Sequence, residues 1–270
     1  MSTRTLARSD GYALTYRVWG ERAERGVVIL LNGVMSHSGW LSPLAEPLAA
    51  QGYRVIGADR RGTGMNEVGR GDAASAQVVI DDALAIIEAE AKPGAPLYLV
   101  GWCWGAILAV HLAKKRSFSR IVLLAPGIFP TETLKTRMAV QEARIQAGPE
   151  EAPILVSPID ERMFTEGPAL EGFILRDPLR LERFSPRFHG ITSRLTMLAA
   201  ALLPKMEPKV LVILAERDEA TDNAATIAAL GRASPPIPHR TIPGTRHGLQ
   251  FDAAAEVVSE LTRWFDGAEV

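Results

Sequence analysis

The chain has 270 residues, 47% of them hydrophobic and 23% charged, which is the profile of an ordinary globular protein with enough chain to bury a large core. Thirty basic and 31 acidic residues leave a formal charge of −1, so neither a nucleic-acid surface nor a polybasic lipid-binding face is expected. A single cysteine excludes a disulfide scaffold and a cysteine-based zinc cluster, and makes a reducing cytoplasm the expected compartment.

Residues 3–8 and 12–19 flank Ser9-Asp10-Gly11 and read as a β-hairpin. Residues 27–31 are apolar on both faces, as a central strand should be. The loop 32–39 leads to a helix at 40–51, and a second buried strand follows at 53–58. A polar, glycine-rich loop, Asp59-Arg60-Arg61-Gly62-Thr63-Gly64, comes next. Val79, Ala83, Ile86 and Ile87 then give helical spacing over 75–91. A strand at 97–100, a helix at 106–116 and a strand at 121–125 complete the first run. Alternation of strand and helix predicts an α/β fold with a mostly parallel sheet and helices on both faces.

That alternation stops over 128–207, where prolines punctuate helical stretches expected at 131–147, about 176–184 and 192–203. No convincing strand is visible there. A segment of roughly 80 residues is too long for a plain loop, so a helical insertion is expected. Strand and helix resume at 210–215, 222–231, 239–242 and 253–266. Residues 1–127 and 208–270 would therefore form one core, with 128–207 an insertion in it. The longest apolar runs, 26–31 and 209–215, fall far short of the ~18 residues a membrane-spanning helix needs. The first twenty residues do not read as a signal peptide.

The sharpest chemical signal is Gly101-Trp102-Cys103-Trp104-Gly105, set between a strand and a helix. This is the form of a nucleophile elbow, with Cys where Ser is usual. The central side chain of such a turn sits at a helix N-terminus, whose dipole favours an anion. Thiolate is the nucleophilic form of Cys. A nucleophile needs a base, and the base needs an orienting group. His247, in the loop after the last strand, fits the base. His111, His239 and His189 fit structural or solvated positions, and His37 lies by the first loop. Asp218 follows the strand 210–215 and fits the orienting carboxylate, with Glu216, Glu219 and Asp222 as rivals. Backbone N–H groups of Val34 and Trp104 stand where an oxyanion hole would form. Trp102, Asn32 and His37 are expected at the substrate.

With Cys103, Asp218 and His247 in that chain order, the sequence resembles the α/β-hydrolase superfamily over nearly its whole length. Its capped branch, with monoacylglycerol-lipase-like and proline-iminopeptidase-like members, fits best. Asn32-Gly33 stands where that branch often carries His-Gly, and residues 37–40 and 59–64 are similar to its loops. The resemblance implies a cap over the active site and acyl chemistry. Two departures are Cys103 in place of Ser and Asn32 in place of His. Cys at this elbow is similar to dienelactone hydrolases, polyhydroxyalkanoate synthases and some cysteine thioesterases; the first are smaller and lack such a cap and the second are much longer, so neither matches the whole chain.

The expected reaction is cleavage or transfer of the acyl group of an ester, thioester or lactone by a Cys-His-Asp triad. The expected partner is a small-molecule acyl substrate, for which coenzyme A or a carrier protein is an attractive carrier. No metal, cofactor, nucleic acid or membrane is expected, and the oligomeric state is open. Elimination, cyclisation or acyl transfer on the same site, and ligand binding without turnover, stay as alternatives.

Overall fold

The computed structural model describes residues 1–148, 154–155, 160–207 and 209–268. Its strands, in chain order, are β1 (Ser2–Ala7), β2 (Ala13–Trp19), β3 (Val27–Leu31), β4 (Arg54–Ala58), β5 (Leu97–Trp102), β6 (Arg120–Leu124), β7 (Ile154–Leu155), β8 (Arg183–Phe184), β9 (Val210–Ala215) and β10 (His239–Ile242). Eight of them form one sheet in the order β1-β2-β4-β3-β5-β6-β9-β10. The β1–β2 hairpin and the β2–β4 pair are antiparallel, and every later pair is parallel. The α/β class expected from the alternation is the fold found.

The helices are α1 (Ser42–Ala50), α2 (Ala76–Glu90), α3 (Trp104–Ala113), α4 (Glu132–Ala147), α5 (Pro168–Arg176), α6 (Pro186–Leu202), α7 (Asn223–Leu230), α8 (Leu249–Asp252) and α9 (Ala254–Phe265). Strands β3, β4, β5 and β9 are buried at every residue, because helices cover both faces of the sheet. Helix α9 lays Val257, Val258, Leu261, Trp264 and Phe265 into the core and packs on α1. Helix α3 is buried from Trp104 to Leu112, since it lies between the sheet and α6. Its apolar character all round follows from that position.

The chain leaves β3 toward β4 on one side and leaves β5 toward β6 on the other, so the strand order reverses between β3 and β5. A crevice opens at the carboxyl ends of strands where the order reverses in this way. The loops after β3 and β5 meet there.

Between β6 and β9 the chain carries α4, α5 and α6 with the two-residue strands β7 and β8 paired antiparallel. Helix α4 matches the expected 131–147. The helix expected near 176–184 is absent: α5 ends at Arg176, and Asp177 to Glu182 form a turn before β8. Pro168 and Pro186 do not break helices but start them, at the first helical turn where a missing N–H costs nothing. Helix α6 therefore begins six residues before the expected 192. Pro149, Pro153, Pro158 and Pro208 lie outside the described residues, as does part of the expected 128–207 segment. The short helix α8 was not expected.

This helical segment is clamped to the core by polar contacts. Asp177 Oδ2 accepts from Trp40 Nε1 at 2.5 Å and pairs with His37 Nε2 at 2.8 Å. His111 Nε2 on α3 meets the Leu195 carbonyl of α6 at 2.9 Å, which accounts for that buried histidine. The Leu181 N–H donates to the Met35 carbonyl at 2.8 Å.

Candidate active site at the carboxyl ends of the central strands

The turn from β5 into α3 places Cys103 at φ 55° and ψ −116°, a backbone region that a residue with a Cβ rarely adopts. Such strain costs about 1–3 kcal/mol and persists only where surroundings over-determine it. Here they do. The Cys103 N–H donates to the Leu124 carbonyl at 3.0 Å. Its carbonyl accepts from Ala106 and Gly127, each at 3.1 Å. Gly105 explains the approach of helix to sheet: a Cβ there would stand 2.1 Å from the Leu31 carbonyl oxygen. A Cβ at Gly101 would stand 2.4 Å from the Gly105 carbonyl oxygen.

His247 lies in the loop between β10 and α8. Its N–H donates to the Met163 carbonyl at 3.1 Å, and the next N–H, of Gly248, donates to Phe164 at 2.9 Å. The loop is thereby held by the helical segment as well as the core. His247 Nδ1 lies 2.8 Å from Asp218 Oδ2, and neither side chain has any exposed surface. Asp218 Oδ1 accepts from the N–H groups of Ala220 and Thr221, both at 2.8 Å. With both oxygens engaged, the carboxylate fixes the ring so that Nδ1 carries the hydrogen. Nε2 is buried and has no hydrogen-bond partner among the described residues.

Burial pushes the His247 pKa down, but the Asp218 charge and, behind it, Cys103 outweigh that and leave it well above the ordinary 6.5. The three rival carboxylates do other work. Glu216 accepts from the Gly244 N–H, Glu219 pairs with Arg246, and Asp222 caps α7 through the Ala225 N–H.

Val34 and Trp104 both line a cavity of about 300 Å³ beside Cys103 and His247. As the first residue of α3, Trp104 has an N–H with no intrahelical acceptor. The far wall comes from the segment between β6 and β9. Leu134 and Met138 of α4, Phe184 of β8 and Met197 of α6 make it apolar. Gln141 and His189 add polar groups, and burial lowers the His189 pKa below 6.5. His189 was expected to be solvated; it is half-buried and faces the cavity. Thr221, also in the lining, has a buried Oγ1 without a partner among the described residues.

The three residues expected at the substrate stand elsewhere. Trp102 is outside the cavity lining: its Nε1 donates to the His247 carbonyl at 2.9 Å, and its ring packs against Trp40, Phe164 and His247. Trp102 ends β5 whereas Trp104 starts α3 beyond the turn; Trp104 faces the cavity and Trp102 braces the histidine loop. Asn32 donates from Nδ2 to the Gly33 carbonyl at 3.0 Å and the Ser36 carbonyl at 2.7 Å, shaping the loop after β3. His37 pairs with Asp177 and accepts from the Gly39 N–H, so it joins the core to the helical segment.

One residue that the sequence did not single out is Arg60. Its Nη1 donates to the Gly33 carbonyl at 3.1 Å and its Nη2 to the Val34 carbonyl at 2.6 Å. Its guanidinium stacks over Trp104 at 4.5 Å. Nothing in Asp59-Arg60-Arg61 distinguishes this buried arginine from Arg61, which binds Asp82.

Comparison with known proteins bears on the family and the fold. The model of the family described as serine aminopeptidase, S33, matches residues 22–254. Phospholipase YtpA of Bacillus subtilis is 28% identical over 106 residues, which is 38% of this chain and 41% of that protein. An uncharacterized abhydrolase domain-containing protein of Dictyostelium discoideum is 28% identical over 116 residues, 43% of this chain and 12% of that protein. The matches thus span less than half of either relative. A soluble variant of monoglyceride lipase from Saccharomyces cerevisiae superposes with a TM-score of 0.82 at 19% identity, covering 97% of this chain and 94% of the lipase. With a family match over most of its length and the same fold, the chain belongs to the serine aminopeptidase, S33, family and is an α/β-hydrolase-fold enzyme.

Proposed function

We propose that the enzyme cleaves or transfers acyl groups through Cys103, with His247 as base and Asp218 as its orienting carboxylate. One observation carries the reading: a buried, unpartnered His247 Nε2 shares a cavity with a Cys103 held in a strained elbow conformation. A raised histidine pKa suits an imidazole that takes the thiol proton.

The steps balance. The Cys103 proton passes to His247 Nε2, and Sγ attacks the carbonyl carbon of an ester, thioester or lactone. The carbonyl electron pair moves to oxygen, which the Val34 and Trp104 N–H groups stabilise. Collapse expels the alcohol or thiol, which takes the proton from Nε2, and leaves an acyl-Cys103 thioester. Water, or a second alcohol, amine or thiol, then gives its proton to His247 and attacks the acyl carbon; the C–S bond breaks, and Cys103 Sγ leaves and takes the proton back from Nε2.

An acyl-cysteine retains more transfer potential than an acyl-serine ester. Residues 128–207, acting as a cap, would exclude water from the apolar cavity and favour transfer to a bound acceptor. A thioester donor, carried on coenzyme A or a carrier protein, fits this chemistry.

Product analysis tests the reading. The purified protein is given a panel of acyl thioesters and activated esters, with Cys103→Ala as control. Acyl loss that depends on Cys103, with free acid or acyl-acceptor product in matching amount, is expected. Equal turnover by folded Cys103→Ala would remove Cys103 from the mechanism.

A further inference from the structure

We propose that Arg60, acting with Asn32 and Ser36, is a positioning residue that makes the Gly33–Val34 peptide a charge-assisted oxyanion donor. This rests on the acyl-transfer reading above.

Three donors converge on one carbonyl oxygen. Gly33 O accepts from Asn32 Nδ2 at 3.0 Å, Arg60 Nη1 at 3.1 Å and Ser36 Oγ at 3.3 Å. A carbonyl oxygen offers two lone pairs, so this one is saturated. The peptide that carries it also carries the Val34 N–H. The only cis peptide among the described residues is Ser234-Pro235, so the Gly33–Val34 bond is trans. In a trans peptide the C=O and the following N–H lie in one plane and point opposite ways. Fixing the carbonyl on the protein side therefore aims the Val34 N–H away from it, and Val34 lines the cavity beside Cys103. Donors on the carbonyl also polarise the peptide and strengthen its N–H as a donor. A charged donor does so most.

The cation is built for this task at a cost. Arg60 is 6% exposed, and among the described residues no carboxylate pairs with it. Its neighbour Asp59 is taken up by Arg17 at 3.3 Å and the Ser38 N–H at 2.5 Å. Arg60 Nε is buried without a partner. Burial pushes the guanidinium down to about 10, well below its ordinary value. A buried charge is expensive unless it is partnered. Its fork instead grips Gly33 and Val34 carbonyls, and its plane rests on Trp104, whose own N–H is the second oxyanion donor. One side chain thus holds both halves of the hole.

Two reactions of Cys103 separate this role from a general structural one. Acylation by p-nitrophenyl acetate develops an oxyanion; alkylation by iodoacetamide does not. Removing one such donor outright costs roughly 10²–10³ in rate, and weakening it costs less. Arg60→Lys keeps the charge but loses the fork, and should lower the single-turnover acylation rate about tenfold or more. Its limiting alkylation rate at high pH should stay within about twofold of wild type, since the free thiolate is the nucleophile in both proteins. Ser36→Ala should lower acylation a few-fold, again without slowing alkylation. Acylation by Arg60→Lys at the wild-type rate, or parallel loss of both reactions, overturns the inference. Should Arg60→Lys not fold, Ser36→Ala decides: a selective loss supports the inference and no loss overturns it. Failure of the wild type to be acylated sinks the acyl-transfer reading and this inference together. Acylated wild type with equally fast variants sinks this inference alone.

Discussion

The two walls of the cavity are held in different ways. The core wall carries Cys103, Val34, Trp104 and His247 on loops at the strand ends and a helix start; the Cys103 N–H is tied to the Leu124 carbonyl of the sheet, and Asp218 holds His247 from behind the lining. The opposite wall, from α4, β8 and α6, belongs to a segment fastened by side-chain clasps, Asp177 with His37 and Trp40 and His111 with Leu195, and by isolated backbone bonds such as Leu181 to Met35 and Ser185 to Gly71. Groups that perform chemistry need sub-ångström placement, which a sheet edge supplies. Groups that surround an acyl chain need only shape and apolarity, which a clasped helical layer supplies. Changes on the core wall should therefore act on rate, and changes on the other wall on substrate choice and local order.

The largest test of that division is Asp218→Asn. It keeps the shape but turns the acceptor of the His247 Nδ1–H into an amide, and should lower Cys103 acylation by roughly 10²–10⁴ while the protein stays folded. Stopped-flow acylation and thermal unfolding measured together check both halves. Gly105→Ala comes next. Its Cβ would meet the Leu31 carbonyl oxygen at 2.1 Å, so the elbow must shift, and denaturant unfolding should show a loss of about 3 kcal/mol.

On the clasped wall, Asp177→Ala leaves the Trp40 and His37 ring N–H groups buried without an acceptor. It should cost about 1–3 kcal/mol and open residues 128–207 to limited proteolysis before the core. A wild-type rate of cleavage there would show that the clasp does not hold the layer.

His247 adds a pH signature to the core wall. The His247 pKa is raised in the folded protein, so its contribution to stability is fully present below about 6.5 and fades as pH rises through the higher folded value. Unfolding free energy measured from pH 6 upward should fall over that window. Asp218→Asn, which removes the largest raising influence, should flatten the curve. The smallest effect belongs to Met138→Trp, which fills part of the apolar wall. It should shift preference toward shorter acyl groups a few-fold through KM, with acylation by acetyl donors little changed.

Legibility followed the same division. The strand–elbow–helix turn was readable because tight geometry demands Gly101 and Gly105 around a single nucleophile position. The strands were readable because burial on both faces requires unbroken apolar runs such as 27–31 and 210–215. Asp218 stood out from Glu216, Glu219 and Asp222 only weakly; the geometry separates them by what each carboxylate binds. The helical layer was read less well. Pro168 and Pro186 look like breakers in the sequence but occupy first-turn positions, and two-residue strands leave no periodic trace. Trp102, Asn32 and His37 sat in the right loops for substrate contact, but side-chain direction within a loop is set by tertiary partners. Arg60 was invisible for that reason too: its burial depends on Trp104 and Phe188, both far along the chain.

The central claim is a covalent acyl-Cys103 intermediate, and intact-protein mass spectrometry after brief mixing with acyl thioesters or activated esters tests it most directly. The account predicts an adduct of one acyl group, localised to Cys103, that decays as product forms and is absent from Cys103→Ala. An unmodified wild-type mass throughout turnover, or an equal adduct on Cys103→Ala, would contradict it.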